Sequence, residues 1–151
     1  MIVATVVDDD SFLPRYGMPG DAGADLRTTE SVRIEPGERV LVGTGVRVAL
    51  PEGHVGFVTP RSGLAARVGL RIVNSPGVVD AGYRGEIRVN LINLDRHHAI
   101  DLVAGDRIAQ LVVLPFVGVH FEPVTDLDET LRGEGGYGST GFRDAATADK
   151  D

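Results

Sequence analysis

Glycine and proline interrupt this chain too often for a long helix to form. Twenty glycines and eight prolines are scattered through 151 residues. Proline removes a backbone donor, and glycine in an element interior costs roughly 0.5–1 kcal/mol relative to alanine. The runs between these breaks are rich in valine and isoleucine, and they alternate. Val46 and Val48 flank Arg47, and Ile87, Val89 and Leu91 alternate with Arg88 and Asn90. A period of two over short runs bounded by turn residues is the pattern of half-buried strands. The one helix candidate is short, Ser62 to Arg67, with Ser62 as its N-cap. The expected fold is all-β, a jelly-roll-like distorted β-barrel with one short helix and a flexible C-terminal arm. The expected division is a catalytic barrel over 1–125 and the arm over 126–151.

The stretch from Ile108 to Leu114 departs from simple alternation. Ile108, Val112 and Leu114 are apolar on one face, Ala109, Leu111 and Val113 on the other. A strand apolar on both faces must be covered on both. The second cover is either another subunit or the other layer of the same domain. Gln110 is the lone polar residue there. A buried amide left unpaired costs about 1–3 kcal/mol, so the expectation is a backbone or ligand partner.

Charge narrows the functional classes. The formal net charge is −7. Such an excess repels a polyanion at long range, which argues against general nucleic-acid binding and makes any phosphate site local. The absence of cysteine excludes disulfides and thiolate metal sites. The apolar start, Met1 to Val7, has no basic flank and ends at Asp8-Asp9-Asp10, and no run of about 18 apolar residues exists. A soluble, cytoplasmic protein is expected. The four histidines lack metal-ligand spacing, and His97-His98 reads as a surface turn.

Five segments carry chemistry-bearing residues. Asp21-Ala-Gly-Ala-Asp25 places two carboxylates in a glycine turn, as solvated turn charges or as support for a cation or a phosphate-binding arginine. Pro60-Arg61-Ser62-Gly63 puts a guanidinium fork, a hydroxyl and free amides where a strand meets the short helix. Those features fit phosphate oxygens, and equally a capped helix with a surface arginine. The run from Asn74 through Asp80 and Tyr83 to Glu86 reads as a hairpin with an open middle. Asp80 there can orient water, or close an Asx turn, and Tyr83 can face a ligand or fill the core. Gly105-Asp-Arg-Ile-Ala-Gln110 turns into the doubly apolar strand. Finally, Arg132-Gly-Glu-Gly-Gly-Tyr-Gly-Ser-Thr-Gly141 sets an arginine, an aromatic ring and two hydroxyls among glycines. It lacks the lysine of a P-loop.

Taken in this order, the five segments resemble the motif set of the homotrimeric dUTPases, from about Asp21 to Gly141. The resemblance implies Mg²⁺-dependent hydrolysis of dUTP to dUMP and pyrophosphate by water attack on the α-phosphate. That activity limits uracil incorporation into DNA and supplies dUMP for dTMP synthesis. It implies that Asn74, Gly77, Val78, Val79 and Asp80 line the uracil slot, with Tyr83 under the deoxyribose and Arg88 nearby. Asp80 would hold the attacking water. Arg61, Ser62, Gly63 and Gln110 would grip phosphates. The tail would close as a lid, Tyr137 stacking on uracil and Arg132, Gly138, Ser139 and Thr140 meeting the γ-phosphate end. Mg²⁺ would ride on the triphosphate with no direct protein ligand, Asp25 reaching it through water. Each site would draw on three subunits. One departure stands out: the lid aromatic, more often phenylalanine in the family, is Tyr137. Two other functions fit an intact motif set less well: a dCTP deaminase or bifunctional deaminase, which would need Glu86 at C4 of cytosine, and a non-catalytic nucleotide-sensing module.

Overall fold

The computed structural model describes residues 1–136. The expectations for Tyr137, Gly138, Ser139 and Thr140 lie outside the described residues. The chain divides into two compact units, Met1–Gly118 and a second that begins at Val119.

The first unit is built of short strands. They are β1 (Ala4–Val7), β2 (Ala24–Arg27), β3 (Val32–Ile34), β4 (Arg39–Gly43), β5 (Val46–Ala49), β6 (His54–Pro60), β7 (Leu70–Ile72), β8 (Gly77–Val79), β9 (Arg88–Asn93), β10 (Ile100–Leu102) and β11 (Arg107–Pro115). One helix, α1 (Ser62–Val68), follows β6, and a 3₁₀ turn spans Asp10–Phe12. The strands pair antiparallel in four sheets, ordered β2-β11-β6-β8, β4-β9-β7, β1-β5 and β3-β10. This is the expected all-β, jelly-roll-like arrangement, and the described strands do not close into one hydrogen-bonded barrel. No described helix is long and apolar enough to cross a membrane.

Alternation becomes packing as expected. In β9, Val89, Leu91 and Asn93 point inward while Arg88 is exposed. Leu91 joins Leu26, Ile34, Val42 and Val46 in the fully buried core. Asn93 is buried without loss, because its amide donates to the carbonyls of Ile34 at 3.0 Å and His98 at 2.9 Å. The doubly apolar strand, β11, lies between β2 and β6. Ile108, Ala109 and Leu111 are buried within the chain, whereas Leu114 is exposed. Its first half is therefore a central strand, and only its far end lacks cover.

Two local expectations need correction. Ser62 is the first helical residue, not the cap. Arg61 stays extended beyond β6 and takes the N-cap position with no side-chain capping bond. Its carbonyl accepts from the amides of Leu64 at 3.1 Å and Ala65 at 3.0 Å. Gln110 is half-buried rather than buried, although it pairs with Asp25 of β2 on one side and Thr59 of β6 on the other. The helix stops at Gly69, whose φ of 69° is left-handed. A Cβ there would also lie 2.9 Å from the Asp95 amide nitrogen, so glycine is required on both counts.

Candidate active site

The structure gathers the sequence-selected residues into two groups, both attached to β6. The first surrounds a cavity of about 170 Å³. Asn74, Gly77, Val78, Val79, Asp80, Tyr83 and Arg88 all line it. Whole-ligand pockets run to roughly 300–1,000 Å³, so this one holds a ring and not an entire nucleotide.

Its floor follows from pairing. β8 is an edge strand, bonded to β6 on one side only, with Gly77 opposite Val58 and Val79 opposite Gly56. The other edge leaves main-chain donors and acceptors without a strand partner. Past β8 the chain turns, the Tyr83 amide donating to the Asp80 carbonyl at 3.0 Å. Asp80 is exposed at the rim. Tyr83 is neither core filler nor free, since its hydroxyl donates to the Glu86 carbonyl at 2.9 Å. Arg88 lies along the cavity with its guanidinium donating to the Leu41 carbonyl at 3.1 Å. Glu86, on which a deaminase reading would rest, accepts the Gly45 amide at 2.7 Å and has a structural task.

The second group centres on Asp25 in β2, whose side chain is 8% exposed. Its Oδ1 lies 3.0 Å from Arg61 Nε and its Oδ2 lies 3.1 Å from Arg107 Nη1. The sheet register makes this meeting: Gln110 pairs with Asp25 on one side and with Thr59 on the other. Arg61 also donates to the Arg107 carbonyl at 3.4 Å. Asp25 Oδ1 is close to Arg61 but off its N–H direction. It is the one buried side-chain oxygen among the described residues without a hydrogen bond. A buried carboxylate oxygen with an open hydrogen-bonding position suits a bound water. Ser62 and Gly63 are exposed on the first turn of α1. The Gln110 side chain rests against Gly23, where a Cβ would come within 3.0 Å of it.

Sequence reasoning missed Arg107. Alone it reads as a charge in a Gly-Asp-Arg turn, and only the 82-residue separation closed by the sheet reveals its partner. Within the chain the cavity lining includes none of Asp25, Arg61, Ser62, Gly63, Arg107 or Gln110. Arg132 belongs to the second unit, where its Nε donates to the Gly135 carbonyl at 3.0 Å. His97 and His98 form the expected surface turn, both amides donating to Asp95 Oδ1. No three His, Cys, Asp or Glu among the described residues gather as a metal-ligand set.

A ring-sized slot with a carboxylate at its rim, and two arginines paired with a buried aspartate, mark an all-β protein with groups suited to a flat ring and to an anion. Comparison with known proteins narrows that class. The dUTPase family matches residues 9–141. A deoxyuridine 5′-triphosphate nucleotidohydrolase of Cutibacterium acnes is 62% identical, over 93% of this chain and 92% of its own. One of Streptomyces avermitilis is 58% identical, over 95% and 82%. Among solved structures, a single-substitution mutant of the Staphylococcus bacteriophage 80alpha dUTPase with dUpNHpp superposes with a TM-score of 0.84 at 28% identity, covering 93% of this chain and 98% of that one. The dUTPase of phage phi11 of S. aureus, described as coordinating a structural Mg(II) ion, superposes with a TM-score of 0.77 at 26% identity, covering 85% and 100%. The chain belongs to the dUTPase family and is an enzyme of that class, a dUTP nucleotidohydrolase.

Proposed function

We propose that the enzyme converts dUTP to dUMP and pyrophosphate, a water attacking the α-phosphorus with Mg²⁺ on the triphosphate. We also propose that it works as a cytoplasmic homotrimer with shared sites, limiting uracil in DNA and supplying dUMP for dTMP synthesis. The observation that carries the reading is the edge strand β8 lining a ring-sized cavity with Asp80 at its rim.

Uracil presents acceptor, donor and acceptor along its pairing edge, and cytosine replaces the O4 acceptor with a donor. Fixed main-chain groups of Gly77–Val79 and the Asn74 amide satisfy one of these patterns and mispair the other. Mispaired buried polar groups discriminate by about 10⁴-fold. Tyr83 packs at the deoxyribose, where a 2′-hydroxyl would be buried without a partner, at a cost of roughly 2–7 kcal/mol. Asp80 holds the attacking water by accepting a hydrogen bond from it, and positioning rather than basicity is its main contribution. Arg61, Arg107, Ser62, Gly63 and Gln110 meet the phosphates, with Asp25 fixing the two guanidinium planes. Asp25 Oδ1, with its open hydrogen-bonding position, would hold a water of the cation. Two neighbouring arginines make a direct bond to a metal unfavourable there. When bound, Mg²⁺ neutralises charge on the triphosphate.

The cavity and the arginine group do not meet within one chain, which supports a site completed by neighbouring subunits, and the poorly covered end of β11 offers a surface for one. The segment 126–151, with Arg132, Tyr137, Gly138, Ser139 and Thr140, serves as the lid. Pyrophosphate release from a panel of nucleoside and deoxynucleoside triphosphates, with and without Mg²⁺, tests the chemistry. Light scattering tests the trimer. Turnover of dCTP at the dUTP rate, or a monomeric mass with full activity, would remove the corresponding part of the reading.

A further inference from the structure

Gly85 is a glycine whose backbone does not need to be one. Its φ lies outside the left-handed region occupied by Gly45, Gly69 and Gly105, so any L-residue could adopt it. What it lacks is room. A Cβ at this position would overlap the Tyr83 hydroxyl oxygen and would lie 2.6 Å from Tyr83 Cζ and 2.9 Å from Cε2. Those three atoms are its nearest neighbours, and all belong to the Tyr83 side chain. The tyrosine therefore lies across the bare backbone of Gly85, along the wall of the cavity.

The end of the ring is latched. Its hydroxyl donates to the Glu86 carbonyl. Glu86 and Ile87 are in turn tied to the β4–β5 corner. The Gly45 amide donates to Glu86 Oε1 at 2.7 Å, the Ile87 amide to the Val46 carbonyl at 2.8 Å, and the Thr44 hydroxyl to the Ile87 carbonyl at 2.6 Å. Thr44 is fully buried. The latch thus connects a half-exposed ring to a rigid part of the core.

We infer that Gly85 is a specificity-positioning residue: by carrying no side chain it lets Tyr83 lie flat and latched, and that pose sets the choice of deoxyribose over ribose. The inference rests on the reading of Tyr83 as the surface that meets the sugar. A methyl at position 85 displaces the ring rather than the backbone, because a tyrosine side chain swings more easily than a turn braced by three hydrogen bonds. The swing opens space beside C2′ and frees the hydroxyl to bond a ribose. Gly85 touches no substrate and acts only through the ring.

The test is the ratio of kcat/KM for UTP to that for dUTP, with Tm measured alongside. Gly85→Ala should raise the ratio by about tenfold or more, the effect of relieving one buried, unpaired hydroxyl. Gly82→Ala, in the same turn with open space around its Cβ, should leave the ratio and Tm unchanged. Tyr83→Ala should raise the ratio, and adding Gly85→Ala to it should change nothing further, since no ring remains to displace. A wild-type ratio in Gly85→Ala, or an additive effect in the double variant, overturns the inference while leaving the Tyr83 reading intact. An unchanged ratio in Tyr83→Ala removes both. If Gly85→Ala does not fold, Tyr83→Phe carries the test. It keeps the ring and deletes the latch, so a raised ratio supports the inference and a wild-type ratio overturns it.

Discussion

The cavity and the arginine group are held in place by different means. The cavity is built on backbone, on an edge strand and on a ring lying over glycine, while Asp80 and Tyr83 remain exposed. The Asp25 group is built on side chains paired with a buried charge, with Arg61 25% and Arg107 45% exposed beside it. Substitution in the first region should therefore change chemistry with little effect on folding. Substitution in the second should change both.

The sharpest contrast comes from the two aspartates. Asp80→Asn should lower kcat by at least about 10²-fold with little change in KM or Tm, because the exposed carboxylate makes no side-chain hydrogen bond among the described residues. Single-turnover kinetics and a thermal melt would check it, and a kcat near wild type would remove Asp80 from the water-holding role. Asp25→Ala should lose stability, by about 1–3 kcal/mol in denaturant unfolding, since it leaves two neighbouring guanidinium groups without the carboxylate that offsets their charge. Unchanged stability with lost activity would place Asp25 among residues that act only on substrate. A smaller effect is expected at Arg107. Arg107→Ala should raise KM for dUTP by about tenfold, the worth of one charged hydrogen bond, while Tm moves less than in Asp25→Ala. A KM near wild type would confine Arg107 to a structural role.

The smallest effect should fall outside both regions. Backbone amides of His97 and His98 hold the Asp95 carboxyl below the usual carboxylate range. A carboxyl depressed in the folded state contributes stability above its unfolded value and loses it as pH falls through the folded one. Asp95→Asn should lower Tm slightly at neutral pH, and the gap should close in acid. A gap that persists in acid would assign the loss to the amide itself.

The elements of the fold were readable from the sequence because alternation is local. Ile87, Val89 and Leu91 announced their own burial, and Ser62 marked the helix to within one residue. The cavity residues were readable because Asn74 to Tyr83 are close in sequence, although the run is not the expected hairpin: β8 pairs with β6, while β9 pairs with β4 and β7. What stayed hidden was set by register between distant strands. Nothing near Arg107 points to Asp25, and nothing near Gln110 says how far β2 and β6 leave it uncovered. Gly85 was hidden differently. A glycine in a turn is ordinarily read as a backbone requirement, and only the lie of the Tyr83 ring shows otherwise.

Strand β6 has a further consequence if subunits share sites as proposed. Val58 borders the cavity proposed for the base, and Arg61, three residues on, is paired with Asp25 in the group proposed to meet phosphate. In such a trimer these two residues serve different substrate molecules. The backbone between these two residues is then a short stretch of extended chain, about 10 Å long. A nucleotide in one site would then lie against the same short run of chain that carries its neighbour's phosphate-binding arginine.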